Sequence, residues 1–209
     1  LLCLSSQFPQ VWILENVSRM AVSNHGVIPE AGRVLFYSSS GDVEALRIAL
    51  ADARAAGPDF LTAAVNATQI ECTKVRTKGN TNFGSYRPLH FAAYNDLIEV
   101  AELLIECDMC DTAAVTVRGD TALHIAAASR SLRVLRLLLQ HCTSTSSQAT
   151  SSSPSLLSLD LLQQCNNWGE CPLHLACANS WADGIKELLE TNEGAAQVRD
   201  KWGRSPVTV

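Results

Sequence analysis

One short motif occurs three times, and its spacing constrains the chain more than any other feature. The fullest copy is Asp120-Thr121-Ala122-Leu123-His124-Ile125-Ala126-Ala127-Ala128, followed by Val134-Leu135-Arg136-Leu137-Leu138-Leu139. Tyr86-Arg87-Pro88-Leu89-His90-Phe91-Ala92-Ala93 lies upstream, and Glu170-Cys171-Pro172-Leu173-His174-Leu175-Ala176-Cys177 lies downstream. From His90 to His124 is 34 residues, and from His124 to His174 is 50. Self-similarity at a period of this size indicates stacked supersecondary units, each completed only by its neighbours.

The motif resembles the ankyrin repeat, whose core is Thr-Pro-Leu-His followed by one variable and two small residues. The resemblance implies an all-α solenoid of helix-turn-helix repeats joined by β-hairpin-like loops. It implies a divergent first repeat, two inserted loops and a truncated last repeat. In that family the Thr and the His bond to one another and to the adjacent loop, a scaffold role carried here to Thr121 and His124. Pro88, His90, Pro172 and His174 occupy the matching motif positions.

In chain order, residues 1–30 read as a poorly ordered lead-in, because turn formers crowd 21–30 and no helical period is present. The first Met is Met20, so 1–19 carry little structural weight. The repeat domain is expected over 31–209, with repeats near 31–53, 82–110, 116–142 and 166–191 and a partial one at 200–209. Aligning Gly41 with the glycine that usually joins two repeat helices puts Val34 at the Leu position and Leu35 at the His position. Tyr37-Ser38 then replaces the two small apolar residues, which marks an end repeat with one face unmatched.

The two insertions fall near 54–80 and 143–158. In the first, Gly57-Pro58 stops a helix, Asp59 to Val65 suits a short extra helix, and Lys74 to Asn80 reads as an exposed basic loop. The second is a Ser/Thr tract too simple to pack, after which Ser155 to Gln164 suits a short helix. Pro88 fits a first helical position, where its missing N–H is no loss. Thr121 fits an N-cap, and Cys171, which replaces it in the fourth repeat, should weaken the network around His174. Leu188-Leu189, matched to Leu137-Leu138, stands one place later from its histidine. That reads as one inserted residue before the outer helix, with Trp181 filling the turn. The fifth unit stops at Val209, and more repeats or a cap are expected to follow.

Composition excludes several classes. A net charge of −5 with scattered Lys and Arg offers no basic footprint for nucleic acid. No apolar run approaches the ~20 residues of a membrane-spanning helix, so this segment is not expected to insert in a bilayer. Eight cysteines at irregular spacing, two of them inside a repeat helix, read as reduced core thiols and favour an intracellular, cytoplasmic setting.

The candidate chemistry mostly dissolves into scaffold. Stacked repeats hold His90, His124 and His174 too far apart to share one metal, whose ligands lie near ~2 Å. Cys107-Asp108-Met109-Cys110 has redox or zinc spacing, but no second ligand pair and no preceding strand. Arg118-Gly119-Asp120 is a by-product of the hairpin. Asn16-Val17-Ser18 and Asn66-Ala67-Thr68 are glycosylation sequons only in a secreted protein. No phosphate loop, nucleophile elbow or supported carboxylate pair is present, so no catalytic residue, cofactor or metal is expected.

Recognition remains. The resemblance places a concave binding surface on the hairpin tips and the exposed side of the inner helices. The hairpin places are Phe83, Ser85 and Tyr86; Val117, Arg118 and Asp120; Asn167, Trp168 and Glu170; Lys201, Trp202 and Arg204. The inner-helix places are Tyr94 and Asn95, Ala128 and Ser129, Ala178 and Asn179. Tyr86, Tyr94, Arg118, Asp120, Trp168, Glu170, Trp202 and Arg204 are the candidate partner-binding residues, since Trp, Tyr and Arg dominate interface energetics. The bland reading is that the tryptophans pack hairpin on hairpin. The expected function is a monomeric, non-enzymatic adaptor or scaffold that binds another protein. The alternatives are a regulatory or substrate-targeting region of a larger enzyme or channel polypeptide, and a thiol redox or zinc protein using Cys107 and Cys110.

Overall fold

The computed structural model describes residues 30–68, 85–107, 109–146 and 162–208. The N-terminal lead-in before Glu30, the first sequon, the basic loop Lys74 to Asn80, Phe83, Asp108 and the Ser/Thr tract beyond Ser146 lie outside them. Among the described residues there is no strand. The α-helices are α1 (Glu30–Ser40), α2 (Val43–Ala56), α3 (Pro58–Val65), α4 (Pro88–Asn95), α5 (Ile98–Ile105), α6 (Ala122–Ser129), α7 (Leu132–Ser146), α8 (Pro172–Ala178) and α9 (Ala182–Thr191). Single 3-10 turns follow at Glu193–Gln197 and Pro206–Thr208.

A left-handed residue ends each inner helix and fixes where its outer partner begins. Gly41, Asp96, Arg130 and Ser180 have φ of 76°, 53°, 58° and 51°, and each stands six places beyond the motif's histidine position. In three repeats the next N–H bonds back to the last turn, as Leu97 to the Ala92 carbonyl, Ser131 to Ala126 and Trp181 to Ala176, all at 3.0 Å. This is a Schellman closure, usually built on glycine. Only the first repeat has the glycine.

The helix pairs α1/α2, α4/α5, α6/α7 and α8/α9 stack into an inner row and an outer row. Small residues let the inner row approach: Ala92, Ala93, Ala126, Ala127 and Ala176 have no exposed surface. In the divergent first repeat Ser38 takes such a place, fully buried, with a hydroxyl that finds no partner among the described residues. Leu46, Val100, Leu104, Val134, Leu135 and Leu173 fill the seam between rows. Burying each contributes about 1.5–3 kcal/mol against leaving it in water.

The expected extra helix is α3, which starts one residue earlier than the sequence suggests because Pro58 takes its first position. It packs on α1 and α2. The Asn66 amide that ends it donates to the Met109 carbonyl at 2.8 Å and accepts from the Asp111 N–H at 2.9 Å. The second sequon is thus spent on joining the first repeat to the second. Helix α7 carries the outer row one turn into the Ser/Thr tract, through Ser146.

The inserted residue expected before α9 is absent. The left-handed residue and the helix start fall at the same distance from His174 as from His124, so Leu188 matches Leu138 rather than Leu137. Leu138 and Leu188 are each 3% exposed. Trp181 instead occupies the place of Ser131, and its indole lies against Gly184, where any Cβ would run into the ring.

Candidate functional site

Three hairpins line one edge of the stack, and each is built on a polar first residue. Thr116 Oγ1 accepts from the N–H groups of Arg118 and Asp120, both at 3.2 Å. Asn166 Oδ1 accepts from Trp168 and Glu170 at 3.0 Å, and Asp200 Oδ1 from Trp202 and Arg204 at 2.9 and 2.8 Å. Such side chains mimic a turn of backbone. The hairpins close from Thr116 N–H to the Asp120 carbonyl, from Asn166 to Glu170 and from Asp200 to Arg204, at 2.9–3.0 Å. The recurring Thr, Asn and Asp, each eight residues before the motif's histidine position, are the sequence signal of these hairpins.

Successive hairpins are sewn together by main chain. The Asn167 N–H donates to the Arg118 carbonyl and the Lys201 N–H to the Trp168 carbonyl, both at 2.9 Å. The tip glycines permit this approach. A Cβ on Gly119 would lie 2.9 Å from Asn167 N, and one on Gly169 2.9 Å from Lys201 N.

The three motif histidines each bridge their own helix start to a neighbouring loop. His124 Nδ1 accepts from the Thr121 N–H at 3.2 Å, with Thr121 Oγ1 2.8 Å away. With Nδ1 an acceptor, Nε2 carries the proton and donates to the Glu170 carbonyl at 3.0 Å. His174 repeats this: its Nδ1 accepts from the Cys171 N–H at 3.1 Å and its Nε2 donates to the Arg204 carbonyl at 3.2 Å. His90 Nδ1 accepts from Arg87 N–H at 3.0 Å, but its Nε2 reaches the Ala114 carbonyl, ahead of the hairpin. The network expected to weaken at Cys171 keeps both links, because its donors are main-chain N–H and imidazole N–H. Burial pushes the His90 pKa down to about 4 and also lowers that of His124, so both rings are neutral at pH 7.

Cys107 and Cys110 sit just beyond the end of α5, in a turn closed by the Cys110 N–H on the Cys107 carbonyl at 2.8 Å. Burial, with Cys107 nearby, pushes the Cys110 thiol up to about 12, the opposite of an activated thiolate. Among the described residues no group of three or more His, Cys, Asp or Glu is placed to hold a metal. No described helix is long and apolar enough to cross a membrane.

The candidate binding residues divide by burial. Tyr86 is 8% exposed, with its ring 5.4 Å from that of Phe91 and 5.6 Å from that of His90. Burial first, and then Asp120, raise its pKa above the usual phenol range. Asp120 is 5% exposed and accepts from the Asn166 amide at 3.0 Å. Both belong to the hairpin supports. Glu170 is half-buried and accepts from the same amide at 3.1 Å, and Tyr94 is half-buried on the inner row.

Arg118, Trp168, Trp202 and Arg204 come to the surface as two stacked pairs. The Arg118 guanidinium lies 4.4 Å from the Trp168 ring centre, and that of Arg204 lies 4.9 Å from Trp202. Trp202 is 62% exposed and Val117 beside Arg118 is 55% exposed. Trp168 does pack hairpin on hairpin, but its neighbour there is a cation from the preceding repeat. On the inner row Ala128 and Ala178 are exposed, and Asn179 is tied down by donating to the Ala128 carbonyl at 3.1 Å.

Asp200 has no exposed side-chain surface. Burial works to raise its pKa, but hydrogen bonds from Arg204 and from the Trp202 N–H outweigh it and hold the carboxyl below its usual range.

A family model described as ankyrin repeats in three copies matches residues 33–150. NF-kappa-B inhibitor alpha of Gallus gallus is 45% identical over 58 residues, which are 28% of this chain and 18% of that relative. The chain therefore matches less than a fifth of that relative's length.

Proposed function

Since this chain belongs to the ankyrin repeat family, whose repeats mediate protein–protein interaction, we propose that it is a non-enzymatic adaptor or scaffold that holds a partner protein on its hairpin edge. The observation that carries this is the pair of outward cation–π contacts, Arg118 on Trp168 and Arg204 on Trp202, mounted on hairpins whose main chain is already fixed. Rigid aromatic and arginine anchors lose little freedom when they bind. The contact set is Val117, Arg118, Trp168, Lys201, Trp202 and Arg204, flanked by Tyr94 and Glu170. Tyr86 and Asp120 support it from beneath.

A non-catalytic role is supported by histidines committed at both nitrogens and by thiols raised in pKa. An intracellular setting is supported by the free thiols of Cys110, Cys165, Cys171 and Cys177 and by Asn66, whose amide the fold has already spent. A partner-binding regulator is the second reading, favoured by the 58-residue likeness to a protein named as an inhibitor. We take the chain to be a monomer in either case.

The test replaces Val117 and Trp202, one at a time, with a photo-crosslinking amino acid and irradiates the chain in source-cell extract. Both positions are expected to capture the same protein, while a crosslinker at exposed Arg47 on α2 captures none. Capture from Arg47 alone would move the binding surface to the outer helices.

A further inference from the structure

We propose that the hairpin edge takes a protein segment carrying acidic side chains among apolar ones, with one carboxylate on the terminal nitrogens of Arg118 and a second on those of Arg204. This rests on the reading of that edge as the binding surface and adds the chemistry of what it binds.

Both guanidiniums turn the Nε edge toward a carboxylate of their own hairpin. Arg204 Nε hydrogen-bonds Asp200 Oδ2 at 2.7 Å, whereas Arg118 Nε is ion-paired with Asp120 Oδ2 at 3.6 Å without a hydrogen bond. Each lays its face on an indole. Among the described residues nothing is hydrogen-bonded to the terminal nitrogens of either. A guanidinium stacked on an indole at one face and drawn by a carboxylate at one edge presents its remaining N–H groups in a set direction, the geometry that suits a planar, bidentate acceptor such as carboxylate.

The charges of the edge are sorted by depth. The two aspartates face inward, with Asp120 and Asp200 side chains 7% and 0% exposed, and half-buried Glu170 is taken up by the Asn166 amide, whereas Arg118 and Arg204 are 33% and 42% exposed. Lys201 and Arg199 are also exposed. An approaching partner meets cations first. Beside them are Val117, next to Arg118, and Trp202, under Arg204, 55% and 62% exposed, which a wholly charged segment would leave uncovered. Acidic residues alone therefore do not complete the fit, and apolar ones are needed in the same segment.

Geometry sets the spacing. Adjacent packed helices lie 8–10 Å apart, so the two guanidiniums, on hairpins two repeats apart, are separated by ~16–20 Å. An extended chain rises about 3.3 Å per residue, so the two acidic residues should be about five to six positions apart. A nucleic acid strand fits less well, because the net charge of −5 opposes a polyanion longer than the edge.

The experiment pans the whole 209-residue chain against random linear peptides displayed on phage. Enriched peptides are expected to carry two Asp or Glu at that spacing with apolar residues between. Their synthetic forms should bind about tenfold more weakly to Arg118→Gln and to Arg204→Gln, the loss expected for one charge-assisted pair. Because both arginines also support buried aspartates, Lys201→Glu is the control that leaves the fold alone, and it should weaken binding severalfold and blunt its salt dependence. Peptides without acidic pairs that nevertheless depend on Trp202 would overturn the chemistry and leave the edge standing as the binding surface. Acidic peptides indifferent to Trp202→Ala, Arg118→Gln and Lys201→Glu would overturn both. An unenriched library, or displacement of the peptides by a single-stranded oligonucleotide, also overturns the proposal.

Discussion

The joint between the third and fourth repeats and the joint between the fourth and fifth use the same histidine with different caps. Thr121 offers His124 a hydroxyl at 2.8 Å, whereas Cys171 offers His174 a thiol at 3.1 Å. Yet each ring accepts one main-chain N–H and donates to one main-chain carbonyl in the next hairpin. The difference teaches that the joint is a main-chain device threaded through an imidazole, and that the cap side chain only adds to it. The joints also differ in what lies beyond them. Gly169 faces a following hairpin, and around Gly203 a Cβ would meet nothing.

Four measurements of urea unfolding can break or sharpen that comparison. The largest effect is expected at the tip glycines. Gly169→Ala should cost about 3 kcal/mol and Gly203→Ala about 1 kcal/mol, since both adopt left-handed backbone but only the first must also displace a neighbour. Equal losses would mean that φ alone matters and that hairpin contact does not.

His124→Ala and His174→Ala should each cost about 2–3 kcal/mol, from a cavity and an orphaned N–H. The costs should agree within about 1 kcal/mol, since the shared bonds dominate. A much smaller loss at His174 would show that the thiol cap had already loosened its joint.

The third measurement is of pH. His90 has its folded-state pKa lowered to about 4 from an unfolded value near 6.5, so the native protein binds fewer protons across that window. Its contribution is complete above pH 6.5 and is lost as the pH falls toward 4. Moving from pH 7 to pH 5 should remove about 2 kcal/mol through this residue. His90→Gln should flatten that slope.

The smallest effect is at the cap. Cys171→Thr should raise stability by about 1 kcal/mol or less, by restoring a hydroxyl cap, and Thr121→Ala should lower it by about 1 kcal/mol. A gain larger than the loss at Thr121 would mean that sulfur strains the fourth repeat.

Much of this architecture is legible in the sequence because the same contacts recur. Pro88, Thr121 and Leu173 sit where a helix start and a seam demand them, and the histidines mark each joint. The register of the outer helices is harder to read. Leu137-Leu138-Leu139 offers two matches for Leu188-Leu189, and the residue that decides between them adopts left-handed backbone as Arg130 and Ser180 rather than as glycine. Nothing in an arginine or a serine announces that conformation.

Direction is likewise hidden at the hairpins. Alternate residues can face inward or outward, and only neighbours from the next repeat settle it. Asp120 turns inward because the Asn166 amide waits for it, and Trp168 meets the guanidinium of Arg118. The sequence names these residues as candidates but not as a pair, because Arg118 and Trp168 are 50 positions apart with an insertion between their repeats.

The seam that joins the hairpins also has a mechanical meaning. The third–fourth and fourth–fifth joints each carry one main-chain hydrogen bond between hairpins and one imidazole bridge, and a stacked repeat packs chiefly on its neighbours. A force applied along the stack therefore falls on one joint at a time. The solenoid should lengthen in steps, the shortest releasing a repeat of 34 residues, on the order of 110 Å of extended chain. The first repeat, with 55 residues from Leu35 to His90, and the third, with 50 from His124 to His174, should give the two longest steps, so the tracts that the sequence marks as surplus would identify their own repeats in a single-molecule trace.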